Sequence, residues 1–395
     1  MDLVIRGIDT LLTMSGGAEL GMLNDAAVAM RDGTIVWVGS THEAPAADEV
    51  IDGRGCIGLP GLVDCHTHAA WAGSRSGEFM RRLSGASYTE ILEAGGGILS
   101  TVAATRDADE ESLVAMTASR LTNMRTRGVT TVEVKSGYGL SPEHEARQLR
   151  VARTAGKRAG VQVRTTWLGA HTVPAEHRAD RDVYVRQLID EQLPAIAGLA
   201  DQADAYVDRG AFTVDEARQI FEAARDAGLG IRVHAEQVTH TGAAAMAAGL
   251  GASSADHLEH IDAAGIAAMA AAGTVGVLLP GAMLYLGDPA PPVAALRAAG
   301  VPMAVATDYN PGTSPVVDLW MAATLACITM GLTVDEALRG ITVHAARALG
   351  LSDRGRLEPG LRGDMVLVRP APGEPCTAAS LVQHCLLYTS PSPRD

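Results

Sequence analysis

Aromatic residues are scarce in this chain of 395 residues, at 4% for Phe, Trp and Tyr together, and positive charge is also in short supply. There are 32 Lys and Arg against 46 Asp and Glu, which gives a net charge of −14. A surface this acidic repels a phosphate backbone, so nucleic acid is not the expected partner. An anionic substrate would need local positive charge, which makes single arginines near a site informative.

Cysteine is also sparse: the chain has five, scattered and without a CxxC motif, at Cys56, Cys65, Cys327, Cys376 and Cys385. An odd number at irregular spacing argues against a disulfide framework and favours a reducing cytosol. Cys65 lies beside a candidate metal ligand. We interpret it as a small buried residue, because neighbours along a strand point to opposite faces.

Long hydrophobic runs are missing as well. No uncharged apolar stretch reaches the roughly 18 residues that a membrane helix requires. The opening sequence MDLVIRGIDTLLTM has no cationic start and no long apolar core, so it does not resemble a signal peptide. We expect a cytoplasmic protein with no membrane partner.

What the chain does contain is a repeated alternation of apolar strands and helical stretches. Hydrophobic residues make up 47% of the chain, enough for a large folded core. Eight apolar runs follow one another: CIGLPGLVDCHTH, then 128–137, 161–171, 203–210, 230–236, 251–260, 273–280 and 301–310. This pattern predicts an α/β fold, most economically a closed (β/α)₈ barrel, with a doubly wound open sheet as the competing architecture.

Two of the intervening segments carry clear helix starts. Ser141 and Pro142 open one helix, and Thr213 with Glu216 three residues later forms a capping-box pattern at another. These signals support the alternation of strands and helices.

The two ends of the chain predict a second, smaller unit. Residues 1–56 contain short strands around a turn at Asp32-Gly33, and a strand follows the turn at 358–360. We predict a small β-sandwich domain formed from 1–56 and 351–385, with the barrel at 57–350. Residues 386–395 are rich in Ser and Pro and are expected to be disordered or non-native.

Polar side chains stand at the ends of four of the predicted barrel strands. His66 and His68 are two residues apart and so face the same side of the first strand. His234 ends the fifth strand, His257 the sixth and Asp308 the eighth. Active sites of such barrels lie at the carboxyl ends of the strands, so these five side chains are expected to meet.

Imidazole and carboxylate ligands suit zinc or ferrous iron. A catalytic site of this kind leaves one position open for water, whose pKa the cation lowers towards 7. A carboxylate on the metal can accept the proton of the water, and an additional imidazole can polarise a carbonyl or move protons. The strand-end residues therefore predict a metal-dependent hydrolase.

Several motifs extend this pattern: GLVDCHTHAAWAGSR, EVKSGYGL, LGAHTVP, HAEQ, ADHLEH and TDYNPGTSP. Over about residues 1–370 the chain resembles the amidohydrolase superfamily, and within it the branch that acts in histidine degradation. EVKSGYGL and TDYNPGTSP are the segments specific to that branch. The chain departs from the pattern at its C-terminus, where LVQHCLLYTSPSPRD replaces the expected last strands, which puts the completeness of the small domain in question.

The resemblance implies hydrolysis of 4-imidazolone-5-propanoate to N-formimidoyl-L-glutamate. It implies that one metal, Zn²⁺ or Fe²⁺/Fe³⁺, is held by His66, His68, His234 and Asp308. His257 and Asp308 would be catalytic, with His257 the acid/base near the carbonyl. The implied substrate-binding residues are Arg75, Tyr138, His171, Gln237, Asn310, Gly312 and Thr313. A homodimer is also expected, since dimers are common in the superfamily.

The residue types agree with several of these roles. Arg75 offers a fork of donors for a carboxylate, whereas Arg81 and Arg82 are interpreted as solvated loop charges. An amide such as Gln237 can hydrogen-bond to a ring but cannot act as a base. Lys135 ends the second strand rather than the fourth, so we interpret it as a structural residue and not as a metal bridge.

Two other functions stay open on the sequence. A related aminohydrolase acting on a purine or pyrimidine ring would have a similar metal site. Arg75 and Tyr138 favour a substrate with a propionate arm, which a bare nucleobase lacks. A non-catalytic scaffold is the other alternative, but such a protein would be expected to have lost metal ligands.

Overall fold

The computed structural model of the chain describes residues 1–16, 19–85, 90 and 96–383, which contain two β-sheets. The strands, numbered along the chain, are β1 (Leu3–Leu12), β2 (Met22–Arg31), β3 (Thr34–Ser40), β4 (Glu49–Asp52), β5 (Ile57–Pro60), β6 (Leu62–Asp64), β7 (Val129–Lys135), β8 (Gln162–Ala170), β9 (Gln202–Val207), β10 (Gly230–Ala235), β11 (Ser254–His257), β12 (Val275–Leu278), β13 (Met303–Val305) and β14 (Met365–Val368). The α-helices are Ser76–Leu83, Ile98–Asp107, Glu110–Arg125, Pro142–Ala159, Arg181–Gln187, Leu193–Ala195, Val214–Asp226, Ala243–Gly249, Ala263–Ala272, Pro280–Leu286, Val293–Ala298, Leu319–Met330, Val334–Gly340, Val343–Ala348 and Ala378–Gln383. The described residues also contain short 3₁₀ turns at Glu19–Gly21, Thr41–Glu43 and Ala175–His177 and a π-turn at Leu188–Gln192.

The larger sheet contains β6 to β13 in chain order, and each neighbouring pair is parallel. Its first and last strands meet just beyond their ends, where Thr67 and Tyr309 form a parallel bridge. The amide of His68 donates to Tyr309 O at 3.0 Å, and the amide of Asp308 donates to His66 O at 3.0 Å. This seam closes the ring, so the predicted (β/α)₈ barrel is confirmed and the open sheet is not found.

Both predicted helix starts are present. The Ser141 hydroxyl accepts from His144 N at 3.4 Å at the start of the helix Pro142–Ala159. Thr213 and Glu216 form a reciprocal capping box: Thr213 N donates to Glu216 Oε2 at 2.7 Å, and Glu216 N donates to Thr213 Oγ1 at 3.2 Å. Local side-chain chemistry therefore fixes where these helices begin.

The smaller sheet is built from both ends of the chain, as predicted. β2 and β3 form a hairpin whose turn residues, Asp32 and Gly33, both have positive φ, at 50° and 71°. β14 returns from the C-terminal side and pairs antiparallel with β5. The six strands are joined in one hydrogen-bonded network, because one edge of the long β1 pairs first with β4 and then with β5.

The apolar run that begins at Cys56 divides into two strands. Ile57–Pro60 joins the small sheet, whereas Leu62–Asp64 is the first barrel strand. Gly61 between them is packed so tightly against Thr130 that a Cβ there would overlap its side chain. The chain thus passes directly from the small sheet into the barrel through Gly61. The limits predicted for the two domains stay predictions, and the tail at 386–395 lies outside the described residues.

The interior of the barrel is not purely apolar. Trp167 and Trp320 are among the largest fully buried side chains, but so are Lys135 and Arg232. Within the described part of the chain, no helix combines the length and the apolar character needed to cross a membrane.

Replacing Thr213 with Ala should lower the free energy of unfolding by about 1 kcal/mol, because the helix Val214–Asp226 loses the side-chain acceptor at its start. Urea unfolding followed by circular dichroism measures the change. Thr213→Ser keeps the hydroxyl and serves as the control. An Ala variant as stable as the Ser variant would contradict a stabilising role for the capping box.

Candidate active site

Four histidine rings meet at the carboxyl ends of the barrel strands. The ring centroids of His66 and His234 are 4.5 Å apart, and His68 is 5.5 Å from each of them. His257 is 5.5 Å from His234 and 5.9 Å from His66. All four residues are buried. The structure thus brings together the histidines that the sequence placed at strand ends.

Asp308 completes the cluster. Its Oδ1 is 3.5 Å from Nε2 of both His66 and His68. The ligand atoms of these three residues lie within 4.8 Å of one another, and the same is true of His66, His234 and His257. These overlapping groups have the donor types that zinc and iron prefer.

The protonation states also suit a cation. Burial holds the pKa values of His66 and His68 well below the usual range, so these rings are neutral and offer lone pairs. Burial raises the pKa of Asp308 to about 7. A nearby cation would oppose that shift by stabilising the carboxylate.

Two of the imidazoles are oriented by carboxylates behind them. His66 Nδ1 is 2.6 Å from Asp256 Oδ2, and His234 Nδ1 is 3.0 Å from Asp204 Oδ2. A ring that donates from Nδ1 leaves its Nε2 as a lone pair. Nε2 of His66 and of His234 has no hydrogen-bond partner among the described residues, although both are buried. Buried polar atoms normally have a partner, and a metal ion would provide one for both of these nitrogens.

The two carboxylates belong to a network of buried charges inside the barrel. Lys135 Nζ is 2.9 Å from Glu133 Oε1 and 2.8 Å from Asp204 Oδ2. Arg232 Nη2 is 2.5 Å from Asp256 Oδ2. Burial alone would lower the pKa of Lys135, but Asp204 and Glu133 outweigh it and the pKa is raised. The carboxylates of Glu133, Asp204 and Asp256 outnumber the cations of Lys135 and Arg232 by one. The resulting negative charge beneath the histidines favours a positive ion bound by the histidine rings.

Asp64 ties the first strand to the last at the same level. Its Oδ2 accepts from the Thr307 hydroxyl at 2.6 Å, and its Oδ1 accepts from Thr307 N at 3.3 Å and His66 N at 3.4 Å. Burial raises its pKa to about 7. The bonds hold the segments that carry His66 and Asp308 in register.

Three site residues have left-handed backbone angles that only glycine adopts freely. The φ angles are 81° at His257, 75° at Leu258 and 50° at Asp308. Such conformations cost of order 1–3 kcal/mol each and tend to occur where function fixes a side chain. Here they occur where β11 and β13 give way to the loops of the site.

His257 lies next to another buried acid, Glu259. Its Nδ1 is 3.7 Å from Glu259 Oε1, and neither Nδ1 nor the two carboxylate oxygens have a hydrogen-bond partner among the described residues. Burial lowers the pKa of His257, but the neighbouring acids Glu259, Asp308 and Asp256 together outweigh burial, and the pKa is raised. Of the four clustered histidines, His257 is therefore the one best able to carry a proton near neutral pH.

Tyr138 and His171 line the mouth beside His68. The rings of His68 and His171 are stacked with centroids 5.1 Å apart, and Tyr138 is 5.5 Å from His171. Burial lowers the pKa of His171 to about 3, and its Nδ1 is 3.0 Å from Gly137 O. Burial raises the pKa of Tyr138, so both groups are neutral at pH 7.

The loop that carries Tyr138 is held from below by the helix Pro142–Ala159. Glu145 Oε1 accepts from the amides of Gly139 at 2.9 Å and Leu140 at 2.7 Å. Gln148 Oε1 accepts from Tyr138 N at 3.1 Å. A buried carboxylate and an amide thus position the tyrosine.

Of the remaining predicted substrate residues, Asn310, Gly312 and Thr313 form the turn that follows Asp308. Asn310 Oδ1 accepts from the amides of Gly312 at 2.8 Å and Thr313 at 2.7 Å, so its amide group maintains the turn. Arg75 lies against Gly312. Gln237 is buried.

Several residues near the site in sequence do not belong to the histidine cluster. Glu236 Oε1 accepts from Ala244 N at 3.3 Å, so its carboxylate points to a helix start. Cys65 is fully buried in an apolar cluster, as predicted. Arg81 and Arg82 lie in the last turn of the helix Ser76–Leu83 rather than in a loop, and Arg82 stacks on Tyr285.

The sequence did not reveal the supporting residues, which are Asp64, Glu133, Glu145, Asp204, Arg232, Asp256 and Glu259. A signal for some of them was present. Asp64 precedes His66 by two positions and Arg232 precedes His234 by two, so each shares a strand face with a ligand. A charge in the middle of an apolar strand has to be paired. The sequence does not show with which residue it pairs.

Comparison with known proteins assigns this architecture to a class. A family model described as the amidohydrolase family matches residues 57–384. A triazine hydrolase and an atrazine chlorohydrolase complexed with zinc, both from Arthrobacter aurescens, have similar folds. Their TM-scores are 0.76 and 0.69, at 20% and 18% identity. Each alignment covers 96% of this chain, with 90% of the first structure and 91% of the second. At this identity the likeness concerns the fold.

A closer relative narrows the assignment. An imidazolonepropionase from Cupriavidus necator is 52% identical over 354 residues, which cover 88% of this chain and 85% of the relative. The chain therefore belongs to the amidohydrolase family and, within it, to the imidazolonepropionases.

Replacing Asp256 with Asn should weaken zinc binding roughly 10–100-fold, because His66 loses the charged acceptor that orients its ring. Competition with a chromogenic chelator measures the dissociation constant. Asp353→Asn, in a half-exposed ion pair with Arg354, is the control. Unchanged affinity in a folded Asp256 variant would show that His66 does not depend on this carboxylate.

Proposed function

We propose that the chain hydrolyses 4-imidazolone-5-propanoate to N-formimidoyl-L-glutamate, a step in histidine degradation. The observation that carries the proposal is the buried cluster of His66, His68, His234 and Asp308, with Arg75 packed on Gly312 in the turn that follows Asp308. The first four suit a hydrolytic metal, and the arginine suits a carboxylate arm. The name of the Cupriavidus relative, imidazolonepropionase, agrees with this substrate.

The proposed metal site consists of His66, His68, His234 and Asp308, holding one zinc or iron ion. The unpartnered Nε2 atoms of His66 and His234 support this set. A cation bound there would supply Lewis acidity, which makes water nucleophilic at neutral pH. Zinc and iron accept the same ligands, so the preferred metal is identified by adding each ion back to the metal-free protein.

His257 is proposed as the acid/base. In the hydrolysis, the oxygen of water bonds to the ring carbonyl carbon, the C–N bond of the cyclic amide breaks, and the leaving nitrogen takes a proton. Glu259 favours the protonated form of His257, so the imidazole can donate its proton to the leaving nitrogen when the C–N bond breaks. Asp308 is proposed to accept a proton from the attacking water.

The other residues are proposed to bind the substrate. Tyr138 and His171 are neutral hydrogen-bonding groups beside His68. Gln237 would hydrogen-bond to the ring, and Asn310, Gly312 and Thr313 would contact the substrate or product. We further propose a cytosolic homodimer, which size-exclusion chromatography with light scattering tests.

The wild-type protein is expected to consume freshly prepared 4-imidazolone-5-propanoate, with loss of its ultraviolet absorbance, and chelator should abolish this turnover. Re-addition of zinc or iron should restore it, and the more effective ion identifies the preferred metal. No turnover by a folded, metal-loaded sample would contradict the proposed substrate.

Replacing His257 with Ala should reduce kcat by at least about 100-fold while metal content stays the same, because the acid/base is lost and the ligands remain. Steady-state kinetics and elemental analysis give the two readouts. His260→Ala changes an exposed histidine three residues further on and is the matched control. Loss of metal from the His257 variant would show that this residue is a ligand.

A further inference from the structure

Arg75 is held by a side chain that the proposed mechanism does not use. Glu78 lies one turn further along, in the helix Ser76–Leu83, and its Oε2 is 2.9 Å from Arg75 Nε. Both side chains are largely buried, at 11% and 14% exposure. An ion pair this shielded holds its geometry better than one in open solvent.

The other oxygen of Glu78 is anchored on a separate part of the chain. Glu78 Oε1 accepts from Gly97 N at 2.9 Å and from the Ser100 hydroxyl at 3.3 Å. Gly97 and Ser100 belong to the start of the helix Ile98–Asp107. The carboxylate is therefore fixed from both sides, and its orientation is passed on to Arg75.

The far side of the guanidinium rests on Gly312. A Cβ at this position would overlap Nη1 and Cζ of Arg75. Gly312 has no positive φ, so the glycine is required for room and not for backbone conformation. Because Asn310 holds the turn in place, the guanidinium is fixed between Glu78 and this turn.

Only part of the guanidinium is used by these contacts. Nε donates to Glu78, and no hydrogen-bond partner of Nη1 or Nη2 is found in the described part of the chain. A guanidinium in this state presents its two terminal nitrogens as a fork that matches a carboxylate. The turn beneath the fork is bonded to the segment of Asp308, because Asn310 Nδ2 donates to Asp308 O at 2.7 Å. The fork therefore lies on the turn that follows one of the proposed metal ligands.

We propose that Glu78 is a positioning residue that aims the Arg75 fork at the substrate and so selects cyclic amides with a carboxylate arm. This inference rests on the proposed function and deepens it. Without Glu78, Arg75 would still be charged, but its fork would no longer be fixed over Gly312. The loss should therefore affect binding of the carboxylate and not the chemistry at the ring.

The test compares two substrates that differ only in the arm: 4-imidazolone-5-propanoate and its neutral primary amide, 4-imidazolone-5-propanamide. With the acid, Glu78→Ala should raise KM about tenfold and leave kcat within about twofold, as expected for a misplaced charge-assisted hydrogen bond. With the amide, the variant and the wild type should have the same KM. Adding Glu78→Ala to Arg75→Ala should cause no further loss with the acid.

Matched variants separate positioning from folding. Glu78→Gln keeps the shape, but its single carbonyl oxygen replaces two acceptors, so an intermediate rise in KM is expected. Glu111→Ala removes an exposed carboxylate that pairs with Arg158 at 2.9 Å and should leave KM unchanged. If Glu78→Ala fails to fold, the Gln variant carries the same comparison.

Three results would overturn the proposal. Equal losses with the acid and the amide would mean that Glu78 only supports the fold. A lower KM for the acid in either Glu78 variant would mean that its negative charge opposes the substrate. Absence of turnover of the acid by the wild type would contradict the proposed function itself, and this inference with it, before any variant is compared.

Discussion

The site depends on a buried set of paired charges inside the barrel. Lys135 and Arg232 have no exposed surface, and each contacts carboxylates that orient the histidines above. Removing one partner of such a pair leaves an uncompensated charge and costs about 3–5 kcal/mol. A buried network of this kind adds little net stability, but it allows the side chains in it to adopt few alternative positions. Restricting the imidazoles to one tautomer and one direction is what a metal site needs.

Acidic side chains also support other side chains at the carboxyl ends of the barrel strands, as they support the histidines. Two carboxylates hold side chains that are proposed to bind the substrate: Glu145 holds the loop of Tyr138, and Glu78 holds Arg75. Each of these acids lies on a helix next to the loop or side chain that it supports. Binding residues on loops are thereby given the precision of the scaffold.

Much of this could be predicted from the sequence. Strand ends are marked by the change from apolar to polar residues, so the positions of His66, His234, His257 and Asp308 followed from the barrel pattern. The supporting pairs could not be predicted, because Lys135 and Asp204 come from different strands and nothing local records their contact. The order of pairing in the small sheet could not be predicted for a similar reason, since β1 pairs with β4 and then with β5 along the same edge.

The closure of the barrel has a mechanical consequence. The bonds that join the first and last strands run through the residues that carry three of the proposed ligands, His66, His68 and Asp308. An ion held by these three residues would bridge the joint where the first and last strands meet. Opening of the ring and escape of the ion would then be one event, so the lifetime of the folded barrel and the residence time of its metal would rise and fall together.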